Sequence, residues 1–259
     1  MGLSRLEKAY TFYDTSIGRS YSFGVGTTMK VPLLSLHLLK PRTTVSSIAS
    51  FHSCRPLKMW DERYSEEGFA YGTEPNQFLK DTLPSLNLPK GAKCLLLAEG
   101  EGRNAVYMAQ HGLDVTGVDS SAVGLRKAQE LASSRQVQIH TEVVDLADYD
   151  YGTTAWDCIV GIFCHVPPPI RARMLDSIPG ALKPGGWVLF ECYTPKQLEY
   201  KTGGPPAAPP MYTAEIFQQA FGDGKLEISR NEELEKEVTE GKYHNGKAAV
   251  VQFIGRKAM

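Results

Sequence analysis

Gly100 and Gly102 bracket Glu101 directly after the apolar run Leu95–Ala98, and Asp119 closes the next apolar stretch, Asp114–Val118. Glycine turns the backbone sharply and lets a ligand approach it closely. A carboxylate at the end of a second strand accepts hydrogen bonds from ribose hydroxyls. Together these residues suit a nucleotide, and Gly100-x-Gly102-x-x-Ala105 with Asp119 about twenty residues on also fits the dinucleotide fingerprint. The same physics serves any adenosine ligand, so the pattern alone does not choose between them. Further along, Asp145-Leu146 follows a third strand-like stretch, where an acidic residue can accept from an adenine amino group. A second set of residues suits a substrate: His165 and Cys164 after the apolar run Trp156–Phe163, Tyr193 at the end of Trp187–Tyr193, Tyr71, and His244. An imidazole can take a proton near neutral pH, and a thiol can attack once ionised. Cys164 reads better as a small packing residue, and His244 is the weakest candidate of the set.

The elements that must hold these groups alternate in type. Leu95–Ala98 is a continuous apolar run, as in a parallel strand buried on both faces. Arg103–His111 carries one apolar helical face, and Gly112 stops it. Ser120 or Ser121 caps a helix reaching about Ser134. Val137–Val144 alternates like a strand nearer the sheet edge, Trp156–Phe163 is a buried strand, and a helix runs from about Pro168 to Leu182. The turn Lys183-Pro184-Gly185-Gly186 then feeds the strand Trp187–Tyr193. Thr73 is a plausible cap for a helix over Asn76–Leu83, and Thr213–Phe221 is a short helix. Residues 194–212, rich in Gly and Pro, form a long loop at the ligand edge and part of the substrate-side cover. Leu226–Leu234 and Ala248–Gly255 close the chain as an antiparallel pair. Strand and helix alternate as in a doubly wound α/β sheet, and the closing pair gives seven strands in the order 3-2-1-4-5-7-6 with the last antiparallel.

The chain has 259 residues, a formal net charge of -1 and five cysteines, none in a Cys-x-x-Cys pair. Neither a metal site nor a disulfide framework is expected, and the bulk charge calls for neither nucleic acid nor membrane. Residues 1–58 differ in composition, with eight basic residues against two acidic ones and many hydroxyls. That is the composition of an organelle transit peptide, for mitochondrion or chloroplast, or of a disordered extension, in which case the protein is expected in the cytoplasm. The ordered domain is expected over residues 59–259.

The block from Trp60 to Lys257 resembles the class I, seven-stranded S-adenosylmethionine-dependent methyltransferases, a Rossmann-like fold. Within them it resembles the group related to tellurite-resistance and thiopurine methyltransferases. The residues that carry this are Trp60-Asp61-Glu62-Arg63-Tyr64, Tyr71-Gly72-Thr73-Glu74-Pro75-Asn76, Glu99 through Ala105, and Phe163-Cys164-His165. The resemblance implies S-adenosyl-L-methionine as cofactor, with Gly100 and Gly102 at its methionine part, Asp119 at the ribose, Asp145 and Leu146 at the adenine, and Ser120 among the residues that bind it. Ile162 and Phe163 would offer main-chain contacts near the sulfonium. Where the family carries an acidic residue and its first glycine, this chain has Leu96 and Ala98, so Glu99 or Glu101 takes the contact to the methionine ammonium. Arg103 either faces the cofactor or pairs with a carboxylate. His165 and Tyr193 are the catalytic candidates, for transfer to a small-molecule soft nucleophile, a thiol or a tellurium or selenium oxyanion, by a monomer or homodimer. An NAD-dependent oxidoreductase and a non-catalytic cofactor-binding protein are the alternatives.

Overall fold

The computed structural model describes residues 10–14, 19–23 and 55–259, with side chains from Met59 onward. Strands β1 (Tyr10–Asp14) and β2 (Arg19–Phe23) pair antiparallel as a hairpin of their own. The rest of the basic N-terminal segment, and with it the transit-peptide expectation, lies outside the described residues.

From Arg55 onward the chain builds one seven-stranded sheet. Its strands are β3 (Lys93–Leu97), β4 (Asp114–Asp119), β5 (His140–Val143), β6 (Trp156–Ile162), β7 (Leu182–Tyr193), β8 (Glu227–Glu240) and β9 (His244–Arg256). They lie in the order β5-β4-β3-β6-β7-β9-β8, and β9 runs antiparallel to both its neighbours. Counted within the sheet this is 3-2-1-4-5-7-6, as the sequence predicts. Alternation along each strand sends neighbouring residues to opposite faces. Cys94 and Leu96 of β3 therefore pack with α2 (Gln77–Thr82), α3 (Arg103–Gln110) and α4 (Ala122–Ser134), through Leu79, Met108 and Leu131. Leu95 and Leu97 pack on the other face, in one core with Met174 of α5 (Pro168–Ala181) and Phe217 of α7 (Ala214–Phe221). Such doubly covered strands are why the apolar runs are continuous.

Several expected boundaries move. The Lys183–Gly186 stretch is not a separate turn: β7 already begins at Leu182, and a register irregularity against Trp156/Cys158 absorbs the extra residues. Gly186 is required there, because a Cβ would stand 2.9 Å from the Lys183 carbonyl oxygen. The α2 cap is Asn76, whose side chain accepts from the Leu79 amide, rather than Thr73. The closing strands are longer than their apolar cores and meet at the tight turn over residues 241–243, because polar residues extend β8 along an exposed sheet edge. Charged side chains there discourage edge-to-edge association. A short helix, α6 (Gln197–Tyr200), interrupts the Gly/Pro-rich loop. Among the described residues no helix is long and apolar enough to cross a membrane, and no group of His, Cys, Asp or Glu side chains is arranged to hold a metal. Four cysteines, Cys94, Cys158, Cys164 and Cys192, are free and buried; Cys54 lies outside the described residues.

Candidate active site

At the carboxyl ends of β3 and β4 the glycine turn wraps around Asp119. The buried Asp119 carboxylate accepts from the Gly100 amide at 2.9 Å and from the Ser121 amide at 2.8 Å. Burial pushes its carboxyl up to about 6, against the pull of those amides. A carboxylate has roughly four acceptor positions, so two bonded amides leave room for hydroxyl donors. Ser120 is half-buried beside it, and Ser121 Oγ caps α4 while donating to Asp61 Oδ1 at 2.6 Å. Asp61 lies in α1 (Arg55–Tyr64), the helix laid across this turn. The glycines are needed for packing as much as for a ligand: a Cβ on Gly100 would stand 2.6 Å from the Tyr64 hydroxyl, and one on Gly102 would stand 2.5 Å from the Ala128 Cβ.

The two glutamates in the turn separate clearly. Glu101 accepts from the Ala70 amide at 2.7 Å and pairs with Lys127 at 2.9 Å, which ties the segment after α1 to α4. Glu99 folds back to the start of α3, where Oε1 accepts from the Ala105 amide at 2.7 Å. Burial raises the Glu99 carboxyl to about 8, and neither the Ala105 and Asn104 amides nor nearby Arg103 offset it. A carboxyl in that state favours a cationic neighbour, because a positive charge restores its ionised form. Arg103 takes the carboxylate-pairing option: it bonds Glu240 Oε2 at 2.6 Å, with both side chains nearly buried.

Asp145 is exposed and turns one oxygen onto the Ala147 amide at 2.9 Å, leaving the other available. Leu146 follows it in the chain. Its side chain belongs to the core and its carbonyl accepts from Arg173, so it offers no side-chain wall to a ligand. Ile162 is likewise a core residue at the end of β6. Phe163 follows it at φ +52, a left-handed conformation that swings its ring across the sheet edge.

That ring opens an aromatic chamber. Phe163 stacks on Tyr193 at 4.6 Å between ring centroids and meets His244 at 4.5 Å, while Tyr71 meets His244 at 4.5 Å. Three covers close over it. Lys242 of the β8–β9 turn donates its amide to the Ala70 carbonyl, and Tyr243 donates its hydroxyl to Glu66 at 2.6 Å. Arg63 donates to the Tyr71 hydroxyl at 2.9 Å. The loop at Gly203 and Gly204 lies against Tyr193, where a Cβ on Gly204 would stand 2.8 Å from the ring.

His165 does not have the lone pair that a base needs. Its Nε2 accepts from the Tyr193 amide at 3.2 Å, so Nδ1 carries the proton and faces the Pro210 carbonyl at 3.2 Å. Burial drives the imidazole down to about 3. Its observed work is to pin the Gly/Pro-rich loop to the end of β7. Tyr193 forms a wall of the chamber, with burial raising its phenol. Cys164 is fully buried beside Met174, and burial pushes its thiol to about 12, the packing role. Sequence reasoning missed Asp61, Asn76 and Glu240. Asn76 Nδ2 donates to Glu191 Oε1 at 2.7 Å and Glu240 Oε1 at 2.8 Å, joining contacts more than a hundred residues apart that no local pattern announces.

Residues 95–186 match the family model described as a methyltransferase domain. That match covers less than half of the chain. A similar curated protein is the ubiquinone biosynthesis O-methyltransferase of Coxiella burnetii, 31% identical over 103 residues, or 39% of this chain and 43% of that protein. The chain thus spans less than half the length of the curated relatives it matches. A protein solved in work on the conversion of a disulfide bond into a thioacetal group during echinomycin biosynthesis superposes with a TM-score of 0.63 at 16% identity, covering 78% of this chain and 91% of that one. Magnesium protoporphyrin IX methyltransferase from Synechocystis PCC 6803, solved with the cofactor bound, superposes with a TM-score of 0.50 at 18% identity, covering 70% and 79%. At these identities the likeness concerns the fold. The donor set at this sheet edge would suit S-adenosylmethionine: an acceptor carboxylate in Asp119, an acidic partner for an ammonium in Glu99, and an acceptor with a spare oxygen in Asp145.

Proposed function

We propose that the protein transfers a methyl group from S-adenosylmethionine to a small-molecule nucleophile held in the chamber of Tyr71, Phe163, Tyr193 and His244. The observation that supports this most is the adjacency of two unlike compartments at one sheet edge. Asp119 and Glu99 form a polar cradle at the ends of β3 and β4, and Phe163, one strand away at the end of β6, opens an aromatic one. In-line displacement on an activated methyl carbon needs mainly position, and holding the partners together can lower a barrier by about 7–11 kcal/mol. Asp119 would hold the ribose, Glu99 the ammonium and Asp145 the adenine amino group, while the α1 cover and the hairpin tip exclude water.

The resemblance to the tellurite-resistance and thiopurine group supports a soft acceptor, a thiol or a tellurium or selenium oxyanion. The named activity of the Coxiella relative supports a hydroxyl acceptor as the second reading. Calorimetric titration with S-adenosylhomocysteine tests the cofactor half. The wild-type chain should bind and Asp119→Ala should not; a wild-type chain that does not bind refutes the proposal. Delivery to a mitochondrion or chloroplast by residues 1–58 belongs to the same reading, and imaging a fusion of those residues to a fluorescent protein checks it.

A further inference from the structure

His244 is 7% exposed, and its Nδ1 has no hydrogen-bond partner although Glu240 Oε2 stands only 3.8 Å away. An orphaned nitrogen at that depth is costly to leave unsatisfied. The carboxylate it faces is unusually well fixed: Arg103 holds one oxygen at 2.6 Å and Asn76 the other at 2.8 Å. Burial opposes the charge on Glu240, yet the His244 contact and the Arg103 guanidinium bring its carboxyl down to about 2. The opposite edge of the ring faces the loop over the chamber, since a Cβ on Gly203 would stand 3.1 Å from His244 Cδ2. No described residue bonds Nε2. The ring meets Phe163, the residue that ends β6 beside the cradle, at 4.5 Å. His165, by contrast, has both ring nitrogens engaged by main chain.

We propose that His244, oriented by Glu240 through Nδ1, is the base that takes the proton of the methyl acceptor on Nε2, so that the acceptor is a small molecule bearing an ionisable X–H, a phenolic hydroxyl or a thiol. This rests on the methyltransferase reading above and narrows it. In the step the X–H bond breaks and its proton passes to Nε2. The electron pair left on X forms the X–CH3 bond as the sulfur–methyl bond breaks and its pair stays on sulfur. The imidazolium then returns the proton to solvent. An oxyanion already ionised has no use for such a base. The charged and titratable groups facing His244 are Glu240 from β8, Arg103 from α3, Arg63 from α1, Tyr71 after it, Tyr243 in the hairpin turn, Tyr193 from β7 and His165 after β6. Burial and the two guanidiniums hold His244 below the ordinary histidine value, against Glu240, so the imidazole is neutral and ready at pH 7.

Nitrogen-correlated NMR of the histidine-labelled full chain reads the tautomer without turnover. It should show His244 neutral at pH 7 with its proton on Nδ1, and Glu240→Gln should mix the tautomers and lower the titration midpoint. With catechol and thiophenol as acceptor probes, His244→Ala should lose at least a hundredfold in kcat/KM at pH 7. For catechol its rate should then rise tenfold per pH unit where wild type is flat, and added imidazole should restore part of it. S-adenosylhomocysteine affinity of His244→Ala should stay within twofold of wild type, which shows that the variant folds. A proton on Nε2, or a His244→Ala profile within threefold of wild type, overturns the proposal. A wild-type chain that binds S-adenosylhomocysteine yet methylates neither probe also overturns it and leaves the methyltransferase reading intact. Absence of binding overturns that reading instead.

Discussion

If Glu99 is the partner of the methionine ammonium, cofactor binding must expel a proton. Burial raises the Glu99 carboxyl from 4.5 to about 8, because it penalises the charged form more than the Ala105 and Asn104 amides and Arg103 support it. At pH 7 a group with that value is about 90% protonated, so a ligand that ionises it releases about 0.9 proton. Only the ionised fraction then binds, and the apparent dissociation constant should fall about ninefold from pH 6 to 7, about fivefold from 7 to 8, and little beyond. Calorimetric titration of S-adenosylhomocysteine in two buffers of different ionisation enthalpy measures the released proton, and Glu99→Gln supplies the baseline. The same shift acts on the free protein with a definite sign. Between pH 4.5 and 8 the unfolded chain loses this proton before the folded chain does, so stability declines as pH rises, by about 1.4 kcal/mol per unit at most. Glu99→Gln should flatten that slope while weakening binding. Equal heats in the two buffers, or an affinity unchanged by Glu99→Gln, would refute the assignment and return the ammonium to another partner.

Three further perturbations probe the frame around the site. Gly102→Ala places a Cβ 2.5 Å from Ala128 at φ +87, and thermal unfolding should show a loss of about 1–3 kcal/mol that Ala128→Gly only partly restores, because the strained dihedral persists. Arg103→Leu leaves the buried Glu240 uncompensated and should cost about 3–5 kcal/mol in urea unfolding, with part recovered in the double variant Arg103→Leu/Glu240→Leu. His165, held neutral to about pH 3, binds no proton in the folded chain where the unfolded chain does, so its contribution is complete above pH 6.5 and is lost as pH falls below it. Acid unfolding followed by circular dichroism should become shallower in His165→Asn.

The sheet was legible because its central strands are buried on both faces. Leu95 through Leu97 must be apolar whichever side they point to, and the alternation of such runs with capped helices leaves little choice of architecture. Ser121 and Thr213 cap their helices through the amides of Gly124 and Ile216, partners only three residues away. Legibility fell where the controlling neighbour is remote. Asn76 rather than Thr73 caps α2, and the same Asn76 side chain joins carboxylates of β7 and β8. The polar ends of β8 and β9 carry no apolar alternation, so their pairing comes from a hairpin that continues past its core.

The two histidines show where reading residue types stops. Both lie at ends of elements, and position in the chain favours His165, which directly follows the strand at the ligand edge. The fold reverses their ranking through partners that sequence spacing does not reveal. His165 meets the Tyr193 amide 28 residues on and the Pro210 carbonyl 45 residues on, contacts that use up both nitrogens. His244 faces Glu240 across a tight turn, and that carboxylate is set by Arg103, 137 residues earlier in the chain. A functional histidine is one whose surroundings orient it without satisfying it, and orientation here depends on the hairpin tip docking onto the segment after α1. On the proposal that His244 is the base, the Lys242–Ala70 and Tyr243–Glu66 bonds belong to the chemistry as much as the ring does: loosening them would free His244 to rotate away from Glu240 while leaving the Asp119 cradle in place.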